Sequence, residues 1–373
     1  MTTRPARRPA CANFSSGPCA KFPGWSANLM KTASLGRSHR SAVGKGRLRL
    51  AIDLTREVLR VPETHLIGIV PASDTGAVEM AMWSLLGARP VDLLAWESFG
   101  EGWVSDVLKQ LKLRDARALT ASYGDLPDLS AVDAAHDVVF TWNGTTSGVR
   151  VPDADWISAD REGLTICDAT SAAFAQPLDY AKLDVVTFSW QKVLGGEGAH
   201  GVLILGPRAV ERLESYVPPW PMPKIFRLAS GGKLIAGIFE GETINTPSML
   251  CVEDYILALE WAKGLGGLNA LVARANANAA VVQRWIDDRP FAANLARRPE
   301  TRSNTSVCLA LGDNQDVPKK IAKLLEAEAV AFDIGSYRDA PPGLRIWCGA
   351  TVETADLDAL MPWLDWAHAQ ASS

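Results

Sequence analysis

The 373-residue chain has no uninterrupted apolar stretch near the roughly 18–20 residues that a membrane-spanning helix needs, so no helical integral membrane protein is expected. It has no low-complexity linker and no internal repeat. With 47% hydrophobic and 21% charged residues, it is not a disordered or fibrous chain. The six cysteines (11, 19, 167, 251, 308 and 348) form no CxxC pair and have no histidine at zinc-ligand spacing. Free thiols, a cytoplasmic location and no metal are the expectation. No GxGxxG follows the first strand candidate, which sets aside a nicotinamide-dependent dehydrogenase.

Acid is also missing from one end. Residues 1–52 contain no Asp or Glu, yet carry Arg4, Arg7, Arg8, Lys21, Lys31, Arg37, Arg40, Lys45, Arg47 and Arg49, in a chain of formal charge −4. A transit peptide, a nucleic-acid arm and the wall of an anion site all suit such a segment. Motif residues begin at Asn13, which argues against the first. No aromatic-interleaved basic patch or known binding module follows, which argues against the second. Small anionic ligands are expected, with neither nucleic acid nor membrane as partner.

From about residue 65 to 205, short apolar runs alternate with loops and helix-like stretches. Strand candidates are His65–Val70, Val91–Trp96, Asp137–Trp142, Leu164–Asp168, Val185–Ser189 and Val202–Leu205, as expected for a largely parallel buried sheet. Gly76–Leu86 and Trp103–Leu111 read as helices between them. Beyond residue 250 the texture changes. Helices are predicted at Cys251–Lys263, Leu268–Asp288, Val317–Glu328 and Thr354–Gln370, with strands at Thr305–Ala310, Val330–Asp333 and Leu344–Trp347. The boundary is placed at Gly264-Leu265-Gly266-Gly267, giving a large α/β domain over 17–266 and a smaller α+β domain over 267–373, with segment 1–16 joined to the latter.

Two residues carry the chemistry. The run Val185–Ser189 delivers Lys192 into a glycine-rich turn with aromatic and apolar flanks, a dry setting in which a lysine amine becomes a usable nucleophile. Asp168 ends the run Leu164–Cys167, on the ligand-binding edge of an open α/β sheet, although an ordinary helix cap places an aspartate the same way. A strand-end Asp and a later Lys are what pyridoxal phosphate requires: the lysine forms a Schiff base and the carboxylate keeps the pyridine nitrogen protonated. Pro71-Ala72-Ser73-Asp74-Thr75-Gly76, between a strand and a helix start, suits a phosphate cradle, as it also suits any capped helix.

These residues resemble the phosphoserine aminotransferase family of fold-type I pyridoxal-phosphate enzymes. Asn13-Phe14-Ser15-Ser16-Gly17-Pro18, Ser38-His39-Arg40, Asn143-Gly144-Thr145-Thr146-Ser147-Gly148, Asp168-Ala169-Thr170-Ser171, Gln191-Lys192 and Asn245-Thr246-Pro247 occur in the family's order over roughly 13–350. The resemblance implies an α/β fold with a mostly parallel seven-stranded sheet plus a smaller α+β domain. It also implies a role for each matching residue. Lys192 becomes the Schiff-base lysine and proton shuttle, and Asp168 the pyridinium partner. Thr145 bonds the ring hydroxyl, and Gln191 with the backbone of Asp74 and Thr75 holds the phosphate. Asn245 and Thr246 reach that phosphate from the other subunit of a homodimer. Phe99 is expected to stack on the ring, with Trp103 the alternative.

On the substrate side the resemblance implies that Arg345 holds an α-carboxylate. His39, Arg40 and Arg338 would receive a phosphate or distal carboxylate, the arginine fork suiting both anions. The sequence departs from the family's common pattern in two places: Thr75 stands where an arginine is usual, and Tyr337-Arg338 replaces a His-Arg pair. Lys45, Arg47 and Arg37 are the candidates to compensate. The implied reaction interconverts 3-phosphohydroxypyruvate plus glutamate with phosphoserine plus 2-oxoglutarate in serine biosynthesis. A phosphohydroxythreonine step of vitamin B6 synthesis is a further implication, and a serine–glyoxylate or serine–pyruvate aminotransferase is the alternative.

Overall fold

Seven strands build one sheet: β1 (Leu66–Pro71), β2 (Val91–Ala95), β3 (Ala116–Thr120), β4 (Asp137–Thr141), β5 (Thr165–Asp168), β6 (Val185–Ser189) and β7 (His200–Leu205). The computed structural model, which describes residues 3–312 and 314–372, orders them β3-β2-β4-β5-β6-β7-β1. Only β7 runs antiparallel to its neighbours. Strands β2, β4, β5, β6 and β7 are buried along their whole length, as strands covered on both faces must be. One apolar cluster covers the face that carries Val186 and Phe188. A second covers the face that carries Ile166, Val185 and Leu203.

Helix α1 (Ala42–Leu59) packs on the first face against α5 (Met249–Gly264). Ser41 Oγ caps α1 by accepting from Gly44 N at 3.1 Å, and Arg60 ends it in the left-handed region. On the second face lie α2 (Ser73–Leu85), α3 (Ser98–Ser105) and α4 (Pro207–Ser215). Gly76 lets α2 sit tightly on its own turn, because a Cβ there would stand 2.2 Å from the Pro71 carbonyl oxygen.

Past residue 264 come α6 (Leu268–Asp287), α7 (Val317–Ala327) and α8 (Thr354–Ala371), with a three-stranded sheet of β8 (Ala292–Asn294), β9 (Ser306–Leu311) and β10 (Leu344–Trp347). The basic N-terminal segment straps onto this part. Trp363 Nε1 donates to the Arg7 carbonyl at 2.8 Å, Phe332 N to Ala12 O at 3.0 Å, and Trp347 N to Phe14 O at 3.0 Å. Arg4 and Arg8 both pair with Glu328 and lie over the Trp363 ring.

Most predicted elements are present within a few residues; α1, α4 and β8 were not singled out in the sequence, and three further differences have a physical reason. The predicted strand Val330–Asp333 does not form: Ala329 and Asp333 take positive φ of 50° and 54°, and only a bridge between Phe332 and Asn13 remains. Strand β3 was not expected because it lies at the sheet edge with mostly exposed residues, so it lacks a buried strand's apolar run. The predicted helix Trp103–Leu111 begins earlier, at Ser98, where the Glu97 carboxylate accepts from Gly100 N at 2.8 Å. It ends in a π-helical turn over Asp106–Leu111.

Candidate active site

Three adjacent parallel strands end in polar residues: Thr141 on β4, Asp168 on β5 and Ser189 on β6. Together with the first turn of α2 and the start of α3 they wall a cleft of about 110 Å³. Lys192, Asp168, Thr145, Gln191, Asp74, Thr75, Phe99 and Trp103 all line it, so most of the residues singled out in the sequence meet in one place. Thr141, Asn143, Thr170, Ser171 and Ser189 line it as well and carried no expected role. The pattern that could have found Thr141 and Ser189 is the polar residue closing each neighbouring strand, on the edge where open α/β sheets bind ligands; Asn143, Thr170 and Ser171 follow two or three residues after such an end.

Lys192 is 8% exposed, and its Nζ donates to the Ser16 carbonyl. Burial holds its amine below the ordinary lysine range. The positive charge of Arg345 pushes the same way, and Cys19, Asp168 and Glu97 oppose it. Asp168 Oδ1 accepts from Thr170 N at 3.0 Å, and Oδ2 accepts from the Trp103 indole at 3.2 Å. Thr145 and Ser171 share a hydroxyl contact of 2.6 Å, and Ser306 Oγ donates to the Thr145 carbonyl at 2.6 Å. Ala72 and Ser73 take positive φ of 65° and 53° where β1 turns into α2, a rare conformation for side-chain-bearing residues.

Phe99 of the cleft meets the Tyr337 ring with centroids 5.4 Å apart, while Tyr337, Arg338 and Arg345 are not among the residues that line the cleft. Arg345 projects from β10 between buried Leu344 and Ile346. Its guanidinium carbon lies 5.6 Å from the Tyr337 ring centre, and its Nε is buried without a partner. Arg338 is exposed, with its guanidinium at the same ring.

The class-V aminotransferase family profile matches residues 115–341. The phosphoserine aminotransferase of Methanosarcina barkeri is 60% identical over 365 residues, covering 98% of this chain and 99% of its own length. The chain belongs to the phosphoserine aminotransferase family of class-V aminotransferases. Among solved structures, a phosphoserine aminotransferase from Cytophaga hutchinsonii superposes with a TM-score of 0.83 at 20% identity, over 95% of this chain and 98% of its own. A pyridoxamine–pyruvate aminotransferase from Mesorhizobium loti gives 0.83 at 18% identity, over 100% and 95%. These distant likenesses establish the fold-type I architecture. The protein is therefore a pyridoxal-phosphate-dependent transaminase.

The residues present fit that cofactor. Around the cleft, Asp74 Oδ1, Thr170 Oγ1, Ser189 Oγ and Gln191 Oε1 are buried side-chain atoms without a hydrogen-bond partner, a concentration that a polar ligand would relieve. Not every family motif reaches this cleft. His39, with exposed Arg40, lines a separate cavity beside Lys45, Gly241, Glu242 and Thr243. Asn245 and Thr246 are exposed and do not line the Lys192 cleft of their own chain. Of the three basic residues expected to compensate for Thr75, Lys45 pairs with Glu242 at 2.6 Å and Arg47 with buried Glu253 at 2.5 Å. Arg37 is exposed.

Proposed function

We propose that the protein interconverts 3-phosphohydroxypyruvate plus glutamate with phosphoserine plus 2-oxoglutarate, serving serine biosynthesis. The observation that carries the reading is 60% identity across almost the whole length of a phosphoserine aminotransferase. The buried Nε of Arg345, which has no hydrogen-bond partner, supports it from the chain's own residues, because an arginine fork suits a carboxylate.

In this reading Lys192 carries the cofactor, and Asp168 faces its ring nitrogen. Thr145 bonds the ring hydroxyl. Gln191 and the backbone of Asp74 and Thr75 hold its phosphate at the start of α2, where free N–H groups converge. Phe99 covers the ring, and Trp103 fixes Asp168 through its indole, whose donated bond at 3.2 Å supports a positioning part rather than a stacking one. Once bound, the cofactor supplies the electron sink for charge released at the substrate Cα. The Lys192 Nζ would take the Cα proton as a base, since burial favours the neutral, unprotonated amine that this task needs. Arg345 holds the substrate α-carboxylate, and burial keeps competing water out.

The reading extends to a homodimer with shared sites, in the cytoplasm. Asn245, Thr246, His39 and Arg40 have no task in their own chain's cleft, and Arg338 joins the last two in receiving a phosphate or distal carboxylate. All six cysteines are free thiols, in keeping with a reducing compartment. It also divides the chain into a cofactor domain over 17–266 and a smaller domain over 267–373, with segment 1–16 assigned to the latter. A phosphohydroxythreonine side activity fits the same anion-binding groups. Titrating the cofactor-loaded enzyme with phosphoserine and with alanine tests the reading. Phosphoserine alone should bleach the visible band of the lysine-bound cofactor. Bleaching by alanine or serine, but not by phosphoserine, would transfer the protein to the serine–glyoxylate type.

A further inference from the structure

The side chain of Asp74 has no part in the reading above, which uses only its backbone. It sits in the first turn of α2, 6% exposed, beside the Asp168 carboxyl, which is 5% exposed. Strand geometry explains the meeting. Asp168 on β5 pairs in register with Thr187 on β6, and alternation turns both toward the face on which α2 lies. The hydroxyls of Thr170 and Thr187 reach the same spot.

The two carboxyls are served unequally. Asp168 takes a backbone N–H on one oxygen and the Trp103 indole on the other. Asp74 Oδ1 is buried with no partner, and so are Thr170 Oγ1 and Thr187 Oγ1. Two buried like charges side by side cannot both be sustained, and Asp74, which has only the Thr170 and Thr187 hydroxyls near it and no backbone N–H, gives way. Burial first, and then the charge of Asp168, push Asp74 well above the carboxylate range. Asp168 is the charged group that faces it; Lys192 and Glu97 act on Asp168 in turn.

We propose that Asp74 is a positioning residue: a neutral carboxyl that donates a hydrogen bond to Asp168 and so holds Asp168 ionised and aimed at the ring nitrogen of the cofactor. This rests on Asp168 being the partner of that nitrogen. The competing arrangement is an ionised Asp74 stabilised by the N-terminus of α2.

Infrared spectra of the full-length protein, cofactor-free and cofactor-loaded, distinguish the two. At pH 7 the protein should show a protonated-carboxyl C=O stretch that Asp74→Asn removes. Asp168→Asn should shift the Asp74 band, because its acceptor changes, without abolishing it. Thermal midpoints give a second readout. In the unfolded chain Asp74 loses its proton near its ordinary value of about 3.9, whereas the folded chain keeps it, so the native side chain costs stability as pH rises above that point. Asp74→Asn should therefore raise the midpoint at pH 8, with the gain vanishing toward pH 4. No Asp74 band together with a lower midpoint in Asp74→Asn overturns the proposal. So does a band that disappears only in Asp168→Asn. Neither readout needs cofactor, so a failure of the cofactor reading itself, seen as unchanged cofactor affinity in Asp168→Asn, stays distinguishable.

Discussion

Arg345 offers a prediction in which activity and stability part company. Its guanidinium comes from a strand whose neighbours Leu344 and Ile346 are buried, and its Nε is left without a partner. An arginine kept for the fold would be paired, so Arg345→Met should not destabilise the cofactor-free protein. Relieving a buried unsatisfied donor is worth about 1–3 kcal/mol, which leaves the thermal midpoint unchanged or raised. Substrate loses far more. Two parallel charge-assisted hydrogen bonds at about 1.5–3 kcal/mol each, discounted for non-additivity, amount to about 3–5 kcal/mol. At about 1.4 kcal/mol per decade, kcat/KM for phosphoserine should fall roughly 10²–10⁴-fold. The same charge holds the Lys192 amine down, so in the variant the pH at which cofactor-free Lys192 reacts with an amine reagent should move upward. Steady-state kinetics, a thermal scan and a labelling profile give the three readouts. A loss under tenfold, or a clear drop in thermal midpoint, would refute the claim that this guanidinium is held for a ligand.

Other perturbations test other links. Gly76→Ala would put a methyl 2.2 Å from the Pro71 carbonyl oxygen and 2.9 Å from Ala72 Cβ. The turn must then shift, costing about 1–3 kcal/mol of stability in a thermal melt, and cofactor affinity should fall with it. His200 is buried, its Nε2 accepts from Ser248 N at 3.0 Å, and burial lowers its pKa to about 4. As pH drops, the unfolded chain protonates this ring first, from about 6.5, so stability should decline from there to about 4, by at most about 3 kcal/mol. His200→Gln should flatten that part of the curve. If sites are shared between subunits, Lys192→Ala and Arg40→Ala, each inactive toward phosphoserine, should restore activity when mixed, because the mixed dimer holds one complete site. Continued inactivity would place Arg40 outside the shared site.

The cofactor side was legible in the sequence because each residue sits at the end of a buried apolar run. Asp168 could be placed on the ligand-binding sheet edge, and Lys192 and the Ser73–Gly76 turn could each be read as following a strand. The substrate side was less so. The motif Ser38-His39-Arg40 names the residue types but not the cleft they serve, and in the fold they stand apart from Lys192 of the same chain. Lys45 and Arg47 looked like free cations, yet each is tied to an acid about 200 positions away, a pairing that no local pattern reveals. The basic, acid-free N-terminus likewise proved partly structural, with Arg4 and Arg8 spent on Glu328 and Trp363. The lapse at Val330–Asp333 has a similar origin. Its composition suits a strand, but two left-handed residues, at Ala329 and Asp333, interrupt the ladder.

The central claim is that Lys192 is the amine that carries the cofactor. Borohydride reduction of the loaded enzyme, followed by peptide mass mapping, tests it most directly. The account predicts a phosphopyridoxyl group fixed on the peptide that contains Trp190-Gln191-Lys192. A modification on another lysine, with that peptide unmodified, would contradict it.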